Sequence, residues 1–170
     1  HPEQKVVAPS TNSYNRLVME PLLDFAVSNS LKFDAIAWHE NGTRPEDLPG
    51  HVDDLRALLA TRPGLGSPPV IIEEYAAPSQ HHLPGFAVAW FHYLEQAGAS
   101  HATRACWNMT DSANGVWSNC WDGLNGLFMK DNLTPQPLYW VFERYAQMLG
   151  RALGTRSSAP TDVVALARST

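Results

Sequence analysis

Charge is scarce in this sequence. Asp, Glu, Lys and Arg make up 17% of its 170 residues, and the net charge is −5. No basic cluster offsets that balance, which argues against nucleic acid as a main partner. No apolar run is long enough to cross a membrane, and no secretory signal pattern is read. Cysteine is nearly absent. Cys106 and Cys120 are either one disulfide across the region between them or two buried thiols. His81 and His82 form a surface pair with no third ligand to complete a metal site, so neither metal nor cofactor is expected. A copper centre built on His1 would need a β-sandwich and a second His, and the order of elements below opposes that.

Hydrophobic residues, by contrast, make up 44% of the chain. That is enough for one globular domain with a real core. The most informative run is Pro68-Pro69-Val70-Ile71-Ile72-Glu73-Glu74-Tyr75. A short β-branched run bounded by Gly and Pro reads as a strand buried on both faces, as in a parallel α/β sheet. Its two carboxylates fall at the carboxyl end, where such folds place their chemistry. Side chains alternate along a strand, so Glu73 and Glu74 are expected on opposite faces. One of the two must face the cleft at that end of the strand, and alternation alone leaves open which.

The remaining elements follow in order. Lys5–Ala8 reads as a strand and Tyr14–Ser28 as a helix, with Pro21 marking a kink or a late start. Phe33–Trp38 is a second strand, ending in His39-Glu40-Asn41-Gly42, and His51–Ala60 is a helix. After the strand at 70–74 come a helix at Gly85–Ala97, a strand at Ala102–Asn108, a long loop from Met109 to Phe128, and a helix at Pro137–Leu149. Long loops inside compact domains are usually functional. Trp107, Trp117 and Trp121 stand here among Gly, Asn and Asp, as in a stacking platform for sugars or bases. Val163–Ala167 looks like a lone new strand.

Strand and helix thus alternate four times. Four βα units make half of an eight-stranded barrel, and an open half-barrel leaves two parallel edges and an interior face uncovered. The chain is expected to be a piece of a larger barrel, an open sheet of another kind, or half of an assembly.

These residues resemble a family. Pro69–Tyr75 is similar to strand seven of the retaining (β/α)8-barrel glycosidases, where an apolar triplet, a small residue, Glu and an aromatic follow Pro. Lys5–Ser10 resembles strand five, Phe33–His39 strand six with a His at the mouth, and Arg104–Asp111 strand eight. The run from Gly126 through Pro135-Gln136-Pro137 resembles the approach to helix eight. The nearest match is glycoside hydrolase family 39, the β-xylosidase and α-iduronidase group, and it spans roughly Lys5 to Gly150.

The resemblance implies the C-terminal half of a barrel, strands five to eight, over residues 1–153. Residues 154–170 would be a linker and the first strand of an accessory β-sandwich. It implies a retaining double displacement with Glu74 as nucleophile, while Glu73, in the place of the family's small residue, would point into the packing between barrel and helices. His39, Trp107, Asn108, Asp111, Trp117 and Trp121 would bind the carbohydrate substrate. The acid/base Glu is expected outside this chain, because the family's Asn-Glu-Pro of strand four occurs nowhere in it. The partner is then the remaining half of the barrel, from the same precursor or a companion chain. Asn41 stands where the family has Tyr. A non-catalytic carbohydrate-binding relative of the same fold is the alternative. Sequons at Asn41, Asn108 and Asn132 are compatible with a secreted or extracellular protein.

Overall fold

The computed structural model describes residues 4–80, 83–104, 109–111, 115–117, 127–128, 134–148, 150–155, 157–158 and 163–169. Its centre is a four-stranded parallel sheet in the order β1 (Val7–Thr11), β2 (Ala35–Glu40), β3 (Val70–Tyr75) and β4 (His101–Arg104). Each consecutive pair is joined by a helix: α1 (Arg16–Ser28), α2 (Leu48–Ala60) and α3 (Pro84–Ala97). A fourth helix, α4 (Pro137–Gln147), lies against α3 through Phe91, which stacks on Tyr145 and meets Phe142 edge-on. This is the repeated βα unit read from the sequence. Among the described residues β1 and β4 are the two edges of the sheet.

Local signals explain the helix boundaries. The side chain of Asn15 accepts from the Leu17 amide and caps α1, satisfying one of the amides a helix start leaves unpaired. The helix therefore begins ahead of Pro21 and carries it inside. Pro21 removes one intrahelical hydrogen bond, but Met19, Leu23 and Ala26 bury the inner face on both sides of it. Gly98 closes α3 in the left-handed region, with φ at 68°, a conformation that costs glycine little.

The core lies between the helices and one face of the sheet. Ile36 and Trp38 of β2 and Val70, Ile72 and Tyr75 of β3 pack against Leu23, Leu48, Val52, Leu55, Trp90 and Leu94. Trp38, Ile72 and Leu55 have no exposed surface. At roughly 25 cal/mol per Å² of apolar area, each such large side chain contributes about 1.5–3 kcal/mol.

Two bulges interrupt the ladder at its carboxyl end. In β1, Pro9 pairs with Ala37 and Thr11 with Trp38, so Ser10 is extra; its φ is 58°. In β3, Ile72 pairs with Trp38 and the next pair is His39 with Glu74, so Glu73 is extra. On the other side Ile72 pairs with Ala102 and Tyr75 with Arg104. A bulge sets two residues against one and breaks the alternation of faces. The core face of β3 consequently reads Val70, Ile72, Tyr75 instead of Val70, Ile72, Glu74.

Two further segments differ from expectation. The stretch read as a loop from Met109 contains an antiparallel pair, β5 (Met109–Asp111) and β6 (Gly115–Trp117). Strands of three residues are too short to show a period in sequence. Residues 163–169 run antiparallel to residues 151–155, with one bridge between Ala152 and Arg168. Arg168 pairs with Glu95 of α3 and lies over the Tyr145 ring, so this segment is tied to the helical layer. No helix among the described residues is long and apolar enough to cross a membrane.

Candidate active site

The bulge in β3 creates the cluster of interest. Glu73 and Glu74 follow one another on the bulge, and both meet His39 of β2. The ring Nδ1 lies 3.0 Å from Glu74 Oε2 and Nε2 lies 3.4 Å from Glu73 Oε2. The expectation that Glu73 points into the packing between barrel and helices is therefore corrected. Glu73 shares the site because one extra residue in the strand cancels the alternation.

Asn41, just past the end of β2, donates from Nδ2 to Glu74 Oε2 at 2.8 Å. The same nitrogen lies 3.3 Å from His39 Nδ1. Ser10, on the bulge of β1, donates to Glu73 Oε1 at 3.0 Å. Glu73 Oε2 is buried and makes no hydrogen bond. The three titratable side chains are half-open, at 25% exposure for His39, 29% for Glu73 and 33% for Glu74. A neutral imidazole donates from only one nitrogen, so a single ring serves two carboxylates fully only when both nitrogens carry hydrogen.

Glu40 faces the other way. It lies on the helix side of β2 and has no exposed surface. Trp38 Nε1 donates to Oε1 at 2.6 Å, His51 Nδ1 of α2 lies 2.8 Å from the same oxygen, and Thr43 Oγ1 donates to Oε2 at 2.8 Å. The hydrogen bond to Glu40 raises the His51 pKa above the ordinary imidazole value. Burial opposes that shift, and the charges of Glu40, Asp47 and Asp54 add to it. Tyr14 stacks on His51 and donates to Asp54 Oδ2 at 2.6 Å. Burial, then that hydrogen bond, pushes the Tyr14 hydroxyl far above the usual phenol range.

A cleft of 510 Å³ beside α3, lined by Arg44, Gln80, Leu83, Phe86 and Tyr93 among others, does not include Glu73 or Glu74. Among the described residues no group of three or more His, Cys, Asp and Glu is arranged to hold a metal ion.

Of the residues singled out in sequence, Glu74 and His39 come together. Trp107, Asn108 and Trp121, with Cys106, Cys120, His1, His81 and His82, lie outside the described residues. The backbone of Asp111 ends β5 and that of Trp117 ends β6. Sequence reasoning missed Glu73, Asn41 and Ser10 as members of the cluster. Asn41 had one signal: it is the position that departs from the family resemblance. Ser10 and Glu73 had none, because each depends on a bulge.

The fold is shared with solved structures. It is similar to the structure of a glucosidase from Croceicoccus marinus, with a TM-score of 0.70 and 18% identity over 99% of this chain and 37% of that one. It is also similar to a GH128 (subgroup VI) exo-β-1,3-glucanase from Aureobasidium namibiae, with a TM-score of 0.53 and 17% identity over 81% of this chain and 52% of that one. A third likeness is to N2152 from Neocallimastix frontalis, with a TM-score of 0.54 and 26% identity over 61% of this chain and 26% of that one. This chain spans between 26% and 52% of the lengths of those three. No family model matches the chain. No curated protein matches it in sequence.

Proposed function

We propose that this chain is part of a retaining glycoside hydrolase, with Glu74 as its nucleophile. The observation that carries the reading is the pair of contacts on Glu74 Oε2, from Asn41 at 2.8 Å and His39 at 3.0 Å. Both fall on one oxygen, which leaves Oε1 as the attacking atom. Contacts from an N–H of Asn41 and a ring nitrogen suit a carboxylate held in one orientation for attack.

In the first step Glu74 Oε1 attacks the anomeric carbon. The glycosidic C–O bond breaks, and a second carboxylic acid gives its proton to the leaving oxygen. In the second step water attacks the glycosyl-enzyme and gives a proton to that same second group, and the bond to Glu74 breaks. In such enzymes the two carboxyl groups stand about 5–5.5 Å apart. We assign the second group to a part of the barrel outside this chain. The position of β1 and β4 as sheet edges among the described residues, and the limited share of each matched structure, support that division. On this reading residues 1–153 are strands five to eight of the barrel, and the sugar is also bound by Trp107, Asn108, Asp111, Trp117 and Trp121. Membership of family 39 rests on the motif resemblance.

The test is mass spectrometry after incubation of the full-length protein with 2-fluoro glycosides bearing good leaving groups. Such substrates need little help from an acid in the first step, so they isolate the nucleophile. A covalent adduct on Glu74 is expected. Glu74→Gln should lose the adduct and at least ~10³-fold in turnover, about 4 kcal/mol of barrier, with the fold intact. An adduct on another residue, or turnover that survives in Glu74→Gln, would rule the assignment out.

A further inference from the structure

Two polar or charged residues among the described residues are buried, Glu40 with no exposed surface and Gln80 at 8% exposure. They belong to one network. Thr43 Oγ1 donates to the Glu40 carboxylate at 2.8 Å and lies 3.1 Å from the Glu40 backbone oxygen. Gln80 Nε2 donates to the Thr43 backbone oxygen at 3.3 Å. Gln80 Oε1 accepts from the Ala77 amide at 3.1 Å and from Trp90 Nε1 at 3.0 Å. The network joins the segment after β2 to the segment after β3, and these two segments frame the His39–Glu74 contact.

Its placement in sequence is specific. Glu40 lies between His39 and Asn41, the two residues that touch Glu74. Turning Glu40 toward the helices turns both neighbours toward the opposite face. The turn that follows includes Gly42 at φ 89°, and a hydroxyl that bonds both the side chain and the backbone of Glu40 fixes that turn. Past β3, Ala76 takes a φ of 83°, a strained backbone for a residue with a Cβ that persists when its surroundings over-determine it. Gln80, bonded to Ala77, supplies such surroundings. A buried carboxylate is expensive unless its oxygens are satisfied, so a purely structural role would be met more cheaply by an apolar side chain.

We propose that Glu40, tied through Thr43 to Gln80, is a positioning residue for Glu74: it fixes the end of β2 so that His39 and Asn41 both reach the candidate nucleophile. This rests on the reading of Glu74 given above. The network touches no substrate and acts only through its neighbours.

The test compares Thr43→Val with Thr43→Ser in the full-length protein, reading the rate of 2-fluoro glycoside labelling. Valine keeps the shape and removes the hydroxyl; serine keeps the hydroxyl. Labelling at saturation should slow by ~10-fold or more in Thr43→Val, since small misplacements of reacting groups cost up to about 10²-fold. Half-saturation should stay unchanged, and Thr43→Ser should restore the rate. Glu40→Gln, which keeps the volume and one acceptor, is the second variant should valine prevent folding; it is expected to slow labelling in the same direction. A wild-type rate in whichever of the two folds overturns the proposal. A wild-type protein that forms no adduct sinks the nucleophile assignment instead. In that case the network is read from the Asn41 side-chain amide, whose exchange with water should quicken by ~10-fold in Thr43→Val as the local opening equilibrium shifts; unchanged exchange overturns the proposal.

Discussion

His39 and Glu40 are neighbours in sequence, and each meets a residue of opposite acid–base character, yet the two pairs are built to different rules. His39 is 25% exposed and stands between two carboxylates, one of which keeps a buried oxygen without a hydrogen bond. Glu40 has no exposed surface, and three donors or ring nitrogens satisfy it. The outer cluster concentrates negative charge and leaves it under-satisfied, which costs stability and suits chemistry. The inner cluster gives both oxygens of a buried carboxylate hydrogen-bond partners, which suits a scaffold. A one-residue step along β2 separates them, because successive side chains point to opposite faces.

Stability measurements test this contrast most sharply. Glu40→Ala should destabilise the protein by about 3–5 kcal/mol, because it leaves His51, Trp38 and Thr43 without their shared partner. Glu73→Ala should change stability by only about 0–1 kcal/mol, the range for half-exposed ion pairs. Urea denaturation of the two variants reads both values. Equal losses would mean that the outer cluster is as much a part of the scaffold as the inner one, and the comparison would fail.

The sequence made one side of this contrast legible and hid the other. The βα order and the strand Val70–Tyr75 could be read from apolar periodicity and the positions of strand ends, and the family resemblance offered His39 as a donor beside Glu74. Glu40 facing away from His39 also followed from alternation. The presence of Glu73 in the outer cluster did not. The rule that places residues on faces fails at a bulge, and nothing in Val-Ile-Ile-Glu-Glu-Tyr marks one, since glycine is absent from it. Ser10 was hidden for the same reason. The partners of Glu40 were hidden by distance: His51 lies 11 residues on, and its approach depends on how α2 packs over β2. The short pair β5–β6 lacked the length that makes a period visible.

A smaller effect probes the rim of the inner cluster. Tyr14 stacks on His51, meets Trp38 edge-on and donates to Asp54, which also pairs with Arg16. Tyr14→Phe keeps both ring contacts and removes only the hydroxyl. A hydrogen bond to a charged group is worth about 1.5–3 kcal/mol, and the partial exposure of this one puts the expected loss near the lower figure. Thermal denaturation checks it. A loss as large as that of Glu40→Ala would move the centre of the inner cluster from Glu40 to Asp54.

The smallest effect is one of pH, and its sign separates the clusters. The folded protein raises the His51 pKa through its bond to Glu40. Above the ordinary imidazole value of about 6.5 the folded state therefore holds more protons at His51 than the unfolded chain, so stability falls as pH rises through that window. The stabilisation is complete below the unfolded value and is gone once pH passes the raised folded value. Asp47 and Asp54 face the same ring and act in the same direction as Glu40, and burial acts against them. His51→Gln keeps a donor for Glu40 but carries no titrating ring, so its stability should be flat over the same range. Urea midpoints measured between pH 6 and 9 decide the matter. A wild-type slope that survives in His51→Gln would move the titrating group out of the inner cluster.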